Sequence, residues 1–454
     1  MRTRLIIREG QLTTLRGLLF GRPDVEGAAF LLCGEARSDS HVTLITHEVL
    51  PIAPDDFLRR ETYGLTINSR ALSRITKLAR YECLSIVFAH SHPGGTAHFS
   101  TQDDGEEERL LPFLQGRVPD RVHGTLVLNE TAVVGRLYLP ARTALDKILV
   151  VGRRFSVANP ASGVVNERFF DRQVRAFGPD IQRLLGRLHI GIVGLGGTGS
   201  PVAEQLYRLG VGELSLFDGD RLAESNLSRV YGATVADINE YKVVIAKRRL
   251  DAIGFDTHVT AFPESINRES VARQLRHCDV VFGCTDKQAP RAILTQLSQR
   301  YGIPAIDLGV LIDSHEGQIR GVFGRITTLQ AGEACLFCRG RINAEAIRLE
   351  SLAPEDRIRQ EKDGYAPELD DPAPAVIAFT SAVASAGVAE LLHRLTGFMG
   401  SDRESTEVLI AFDLSRIRTN RSLPREDCFC SDQSQEGRGD EDPFLGMVWA
   451  THTT

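Results

Sequence analysis

The densest group of chemically capable residues is HSHPGGTAHFSTQD, which holds His90, His92, Ser100 and Asp103. Residues two apart on a strand face the same side, so His90 and His92, ending the apolar run LSIVFA, point two imidazoles at one place. Asp103, at the start of the next helix, supplies a third ligand. Three protein ligands leave one tetrahedral position of a zinc ion for water, which separates a catalytic site from a closed structural one. The ion brings the pKa of that water toward ~7 and polarises a carbonyl, and a nearby carboxylate must then carry the proton to the leaving amine. His-x-His alone proves little, because strand alternation produces it often. His98 reads as a solvated loop histidine.

A second group begins at GLGGTGS, Gly194 to Ser200, which follows an apolar strand and opens a helix. Its glycines Gly194, Gly196, Gly197 and Gly199 permit a tight turn and let backbone N–H groups approach phosphate oxygens at the positive end of the helix. Asp218, ending the next strand, stands where a carboxylate accepts ribose hydroxyls. On these features alone a dinucleotide dehydrogenase competes. Further along come Asp220, Asn226 and Arg229 in DGDRLAESNLSRV, Lys242 in YKVVIAK, and Asp286 in VFGCTDKQAPR. Hydride transfer has no need of Asn, Arg and Lys converging on phosphates. Nucleotidyl transfer does, because charge develops on a pyrophosphate leaving group and Mg2+ needs a carboxylate.

Four of the eight cysteines are paired by spacing, Cys335 with Cys338 and Cys428 with Cys430. So few cysteines in so long a chain read as metal ligands rather than a disulfide framework. Cys33, Cys83, Cys278 and Cys284 lie in or beside apolar segments and are expected to be buried free thiols.

These residues need two scaffolds. The chain has 454 residues, too many for one ordinary core. Residues 1–150 show short apolar runs broken by turns, with helical stretches around 67–79 and 105–114, and read as a compact α+β domain. Residues 151–166 include SVANPASGVV, expected to be a linker. Residues 167–433 alternate helix, strand, glycine loop, helix and strand, the pattern of a parallel α/β sheet. Strands are expected at 259–262, 279–282, 305–307 and 407–413, with a long helix at 376–396. Residues 434–454, Gly-rich and acidic at first, are expected to be a disordered tail. A net charge of -6 argues against nucleic acid as a partner. No apolar run reaches the ~18 residues of a membrane span and no secretory leader is visible, so a cytoplasmic location is expected.

His-x-His, seven residues, Ser, two residues, Asp is the motif of the JAB/JAMM (MPN) metallopeptidases, and the N-terminal third resembles that family. The resemblance implies that Glu26, opening VEGAAFLLCG, is the general acid/base, with Glu35 and Glu48 as other upstream carboxylates. It also implies that Ser100 helps hold the oxyanion or the water. The string from FDRQ (Phe170 to Gln173) through GxGGxGS, DGD, SNLSR, Lys242 and CTD resembles the ThiF/MoeB family and the adenylation domains of ubiquitin-activating enzymes. That likeness implies that the glycines shape a phosphate loop, Asp218 holds the ribose, and Asn226, Arg229 and Lys242 contact phosphates. It further implies that Asp286 binds Mg2+ or the α-phosphate region, and that Arg172 reaches across a homodimer to the partner's ATP. Cys335, Cys338, Cys428 and Cys430 resemble the family's structural zinc, although the second pair is Cys-x-Cys rather than Cys-x-x-Cys.

The fold class so implied is an α+β JAB/MPN (cytidine-deaminase-like) domain followed by an α/β Rossmann-like ThiF-type domain with a mostly parallel sheet. The activity implied is MgATP-dependent adenylation of the C-terminal glycine of a ubiquitin-like protein, joined to zinc-dependent peptide or isopeptide hydrolysis after that glycine. Activation of a sulfur carrier for cofactor biosynthesis is the alternative within the class. A non-catalytic scaffold with a nucleotide sensor is the alternative outside it. Residues 339–427 contain no cysteine where such enzymes often carry a thioester-forming nucleophile. Transfer to an external acceptor, such as a conjugating-enzyme-like protein, is expected instead.

Overall fold

The structure, a computed structural model, describes residues 1–139, 141–158, 167–350, 352 and 374–449. Part of the expected linker and most of the cysteine-free stretch DGYAPELDDPAPAVIAFTS lie outside the described residues. The chain divides into two compact units, Met1–Ser162 with Arg300–Gly302 and Ser434–Asp442, and Gly163–Gln299 with Ile303–Gln433 and Pro443–Thr454. No helix among the described residues is long and apolar enough to cross a membrane.

The first unit runs β1 (Arg2–Arg8), α1 (Glu9–Phe20), β2 (Ala28–Arg37), β3 (His41–Pro51), β4 (Phe57–Glu61), β5 (Gly64–Ile67), α2 (Ser69–Tyr81), β6 (Ser85–Ser91), α3 (Thr101–Arg117), β7 (His123–Leu128), β8 (Val133–Tyr138), β9 (Arg142–Ala144), β10 (Lys147–Val151) and β11 (Phe155–Ala158). Nine of these strands form one sheet in the order β11-β10-β1-β3-β2-β6-β7-β8-β9, while β4 and β5 make a separate hairpin. Alternation explains why β2 and β6 read as unbroken apolar runs. Ala29, Leu31, Cys33, Val87 and Ala89 fill a core with Leu15 and Leu19 of α1. Ala28, Phe30, Leu32, Ile86 and Phe88 fill another with Ala71, Ile75 and Ala79 of α2 and Leu114 of α3. A sheet covered on both faces needs apolar residues at both parities.

Two expectations for this unit are corrected. The strand β11 lies within 151–166, so the linker is shorter than composition suggested. Ser434–Asp442 is not a disordered tail but packs within the first unit. The strand β6 accompanies β2 only as far as Cys33. Beyond it the free backbone edge is taken by the tail: Gly34 N donates to Gly437 O (3.1 Å), Asp440 N to Glu35 O (2.7 Å) and Arg37 N to Asp440 Oδ2 (3.0 Å). Arg8 pairs with Glu436 (2.7 Å) and Arg438 with Glu82 (3.2 Å). An open edge is a liability that such a strap removes.

The second unit runs α4 (Glu167–Leu185), β12 (His189–Val193), α5 (Gly199–Arg208), β13 (Glu213–Phe217), α6 (Lys242–Asp251), β14 (His258–Phe262), α7 (Glu269–Ala272), β15 (Val280–Gly283), α8 (Gln288–Arg300), β16 (Ala305–His315), β17 (Gln318–Leu329), α9 (Ala344–Glu350), α10 (Ile377–Thr396), β18 (Glu407–Ala411) and β19 (Arg416–Asn420). Its sheet has the order β14-β13-β12-β15-β16-β17-β18-β19. The pairings from β14 to β16 are parallel, and those from β16 to β19 antiparallel. The expectation of a mostly parallel sheet is therefore corrected to a mixed one. Helical crossovers build the parallel part, whereas the long β16–β17 hairpin and the β18–β19 hairpin can pair only antiparallel. The chain winds outward through β12, β13 and β14 and then returns to β15 on the other side of β12. This is a topological switch point, the place where loops at the strands' C-terminal ends leave a crevice for a ligand.

Candidate functional site

Parity places His90 on the α2/α3 face of β6, and His92 continues it just past the strand end. Their Nε2 atoms are 3.2 Å apart. Asp103 approaches from the first turn of α3, with Oδ1 2.9 Å from His90 Nε2 and Oδ2 3.4 Å from His92 Nε2. One ligand atom from each of the three lies within 4.8 Å of the others. Ser100 is the N-cap of α3: its hydroxyl donates to Asp103 Oδ2 (2.7 Å) and accepts from Asp103 N (3.2 Å). Ser100 N also donates to Asp103 Oδ2 (2.6 Å), so the spacing Ser-x-x-Asp is a capping box that orients the Asp103 carboxylate. The partly buried Asp103 carboxyl is held well below the usual range: burial pushes it up, and hydrogen bonds from His90 and His92 overcome that. A carboxylate kept ionised beside two imidazole Nε2 atoms, all three side chains converging on one point, is a donor set that fits a divalent cation such as zinc.

Glu26 is placed by register. Ala28 pairs with His90 in antiparallel β2–β6, and continuing that register sets Glu26 opposite His92. Gly27 makes this possible. Its N–H donates to Ser91 Oγ (2.8 Å), its carbonyl accepts from Ser91 N (3.0 Å), and a Cβ there would lie 2.2 Å from Leu19 O. The β4–β5 hairpin holds the other side, with Glu26 N donating to Glu61 O (2.9 Å) and Arg60 Nε to Glu26 O (2.7 Å). Glu26, His90, His92 and Asp103 all line one cleft of about 1000 Å³, walled by apolar residues such as Leu65 and Phe113. Burial raises the Glu26 pKa, against the pull of His90 and His92. A carboxyl tuned in that direction suits proton transfer. Glu35 instead accepts from Val122 N (2.8 Å) and Ser85 near the tail, and Glu48 is exposed; neither lines the cleft.

In the second unit three loops meet at the switch point. Gly194 has φ +89°, and a Cβ on it would stand 2.7 Å from Cys284 O. Gly199 admits no side chain at all, with Gly194 O 1.8 Å from the Cβ position. Gly197 backs onto the Arg229 side chain, whereas Gly196 faces open space. Asp218 follows β13 and ties the loops together: Oδ2 accepts from Leu195 N (2.6 Å) and Oδ1 from Asp220 N (2.8 Å). Burial raises the Asp218 pKa. Lys242 begins α6 and donates to Asp220 Oδ2 (3.1 Å). Asn226 and Arg229 are half-buried on the turn between them, and Arg229 donates to Ser225 O (2.7 Å). Asp286 is exposed beyond β15, and Arg172 is exposed on α4.

Residues that no sequence motif singles out support these loops. Glu350 of α9 accepts from Gln288 N (2.9 Å) and Ala289 N (2.8 Å), satisfying the start of α8 just after Asp286. Fully buried Asp307 on β16 accepts from Arg291 Nε (3.0 Å) and pairs with Arg325 Nη2 (2.7 Å). No spacing rule advertises either, because each partner is remote in sequence.

The four paired cysteines converge. Cys335 Sγ lies 3.5 Å from Cys428 Sγ, and Cys338 Sγ 3.4 Å from Cys430 Sγ. These separations exclude the ~2.05 Å of a disulfide and approach the edge of about 3.8 Å expected of four thiolates around one zinc. The shorter Cys-x-Cys spacing therefore does not spoil the ligand set. Of the other thiols, Cys33 and Cys278 are buried and Cys284 partly so, but Cys83 is exposed, which corrects that expectation. Cys83 sits in the turn after α2 at φ +55°, outside the apolar face of the helix. Burial pushes the Cys33 thiol up to about 12 and raises that of Cys284 as well.

Residues 170–431 match the model of the ThiF family. The chain belongs to the ThiF family. Residues 14–133 match the model for prokaryotic homologs of the JAB domain, so a JAB-like domain precedes the ThiF domain in one chain. Among curated relatives, the sulfur carrier protein adenylyltransferase of Thermus thermophilus is 33% identical over 28% of this chain and 48% of its own length. The molybdopterin-synthase adenylyltransferase of Escherichia coli is 32% identical over 39% of this chain and 69% of its own. The tRNA threonylcarbamoyladenosine dehydratase of Haemophilus influenzae is 32% identical over 30% of this chain and 52% of its own. The chain thus spans about half the length of curated relatives such as the sulfur carrier adenylyltransferases.

Proposed function

We propose that this chain activates the C-terminal glycine of a ubiquitin-fold carrier with MgATP and also cleaves peptide or isopeptide bonds formed at that glycine. In the first reaction a carboxylate oxygen attacks the α-phosphorus, the bond to the bridging oxygen breaks, and pyrophosphate leaves. Gly194, Gly196, Gly197 and Gly199 would receive the phosphates, Asp218 the ribose, Asn226, Arg229 and Lys242 the phosphate charge, and Asp286 the magnesium. The observation that carries this reading is the tie from Leu195 N through Asp218 to Asp220 and Lys242, which brings the glycine loop, a carboxylate and a cation to one switch point. A hydride-transfer site has no use for that cation. Among the possible carriers, a sulfur carrier is favoured over a conjugated modifier, because the adenylyltransferases of sulfur carriers and molybdopterin synthase are the relatives matched. A partner that accepts the activated carrier, a sulfur donor or a conjugating-enzyme-like protein, then completes the reaction.

For the first unit, His90, His92 and Asp103 would hold a zinc ion that supplies a Lewis acid and an acidic water. Glu26 would move the proton to the leaving amine, and Ser100 keeps Asp103 in place. Cys335, Cys338, Cys428 and Cys430 would hold a second zinc with no open position. The activating unit is read as a homodimer in which Arg172, exposed and forward of β12, reaches the partner's nucleotide. The test is carrier-dependent exchange of labelled pyrophosphate into ATP. Exchange with a sulfur carrier ending in glycine, lost with Asp286→Ala and partly restored when Arg172→Ala and Asp286→Ala chains are mixed, is expected. No exchange with any ubiquitin-fold carrier would sink the adenylation reading.

A further inference from the structure

Asp220 is a half-exposed carboxylate held between two ammonium groups. One is Lys242 Nζ at 3.1 Å from Oδ2, and the other is Lys287 Nζ at 3.7 Å from Oδ1. Lys242 is nearly buried, and its own N–H donates to Asp220 O (3.1 Å), so it is built into the site. Lys287 differs. It comes from the loop after β15, directly beside Asp286, its side chain is 57% exposed, and Asp220 is the one carboxylate in ion-pair range of it among the described residues. An exposed pair this long contributes little to folding, so packing gives no reason for a lysine to sit there.

The position itself supplies a reason. Asp220 hangs from Asp218, which is bonded in turn to Leu195 of the glycine loop, so the two ammonium groups stand at the mouth of the phosphate crevice. Together they draw the Asp220 carboxyl below its ordinary range against the push of burial. Pyrophosphate gains negative charge as it departs, and a further ammonium group able to reach that spot would stabilise the charge as it develops. Resting on the adenylation reading above, we propose that Lys287 is a second pyrophosphate-binding lysine, parked on Asp220 in the free enzyme and turned onto the β- and γ-phosphates when MgATP binds. A flexible four-carbon stem with a compact charge suits such a swing.

The test uses the full chain and isothermal titration with MgATP, magnesium pyrophosphate and AMP. Lys287→Gln is expected to weaken MgATP and pyrophosphate by about tenfold and to leave AMP within about twofold, since AMP lacks the groups Lys287 would touch. Lys287→Arg should recover most of the loss. Unchanged MgATP affinity in Lys287→Gln would overturn the proposal, and so would an equal loss for AMP, which would mean a general disturbance of the loop. Failure of the unsubstituted chain to bind MgATP would remove the adenylation reading itself, so the two failures are distinguishable.

Discussion

Among the carboxylates that precede the histidines, residue type does not separate Glu26 from Glu35 and Glu48. Their surroundings do: Glu26 lines the cleft, Glu35 accepts from Val122 N and Ser85 away from it, and Glu48 faces solvent. The histidine pair was legible because strand parity is a local rule, and Asp103 because it opens the helix that follows them. Glu26 was reachable only by resemblance, since its placement depends on pairing with β6, which no spacing in the sequence expresses. Exchanging Glu26 for Gln keeps the shape and removes the ionisable oxygen. Cleavage of a carrier extended past its glycine should fall by about 10²-fold or more, the usual scale for losing a general acid/base. Zinc measured by mass spectrometry should stay at about two ions per chain. A fall to one ion together with activity would make Glu26 a ligand instead.

Helices and strands long enough to show a period were readable, and the errors fell where composition misleads. The helix around 67–79 appears as Ser69–Tyr81, and the strand expected at 305–307 extends to His315 as one arm of a hairpin, its last residues Asp313, Ser314 and His315 being polar and exposed. The tail is the clearest case. Gly437 and Gly439 in an acidic stretch resemble a flexible linker in composition, yet both hold positive φ, +64° and +71°, against the backbone of β2 and β3. A Cβ at Gly439 would stand 2.5 Å from Glu35 O, whereas Gly254, also at positive φ (+81°), has nothing within 4 Å. Alanine at Gly254 should therefore show the backbone cost alone, on the order of 1 kcal/mol, and valine at Gly439 should cost about 2 to 4 kcal/mol by detaching the strap. Hydrogen exchange at Gly34 and Glu35 would report it, rising in the Gly439 variant and unchanged in the Gly254 variant. Equal protection in both would mean that the strap contributes nothing to the edge.

At the scale of the molecule, the distribution of thiols bears on where an activated carrier would go after the proposed adenylation. Four of the eight cysteines are gathered in one cluster able to hold a metal ion, Cys33 and Cys278 are buried, and the Cys284 thiol is raised by burial next to the glycine loop. A raised thiol pKa leaves little thiolate near neutrality, and thiolate is the attacking form. Cys83 alone is exposed, and it belongs to the first unit rather than the one that carries the glycine loop. The residues expected to perform adenylation, Arg229, Lys242 and Asp286, contain no sulfur. Alkylation mild enough to modify Cys83 and spare the four clustered cysteines should therefore leave carrier-dependent pyrophosphate exchange within about twofold of the untreated rate. The same protein incubated with MgATP and carrier should give no thiol-sensitive adduct on a non-reducing gel until a partner bearing its own reactive cysteine is added. An adduct mapped to Cys284 would show that nucleotide binding opens this partly buried thiol to the adenylate, and the chain would then carry the acyl group itself. An adduct at Cys83 would instead require the activated glycine to travel from one unit to the other before release.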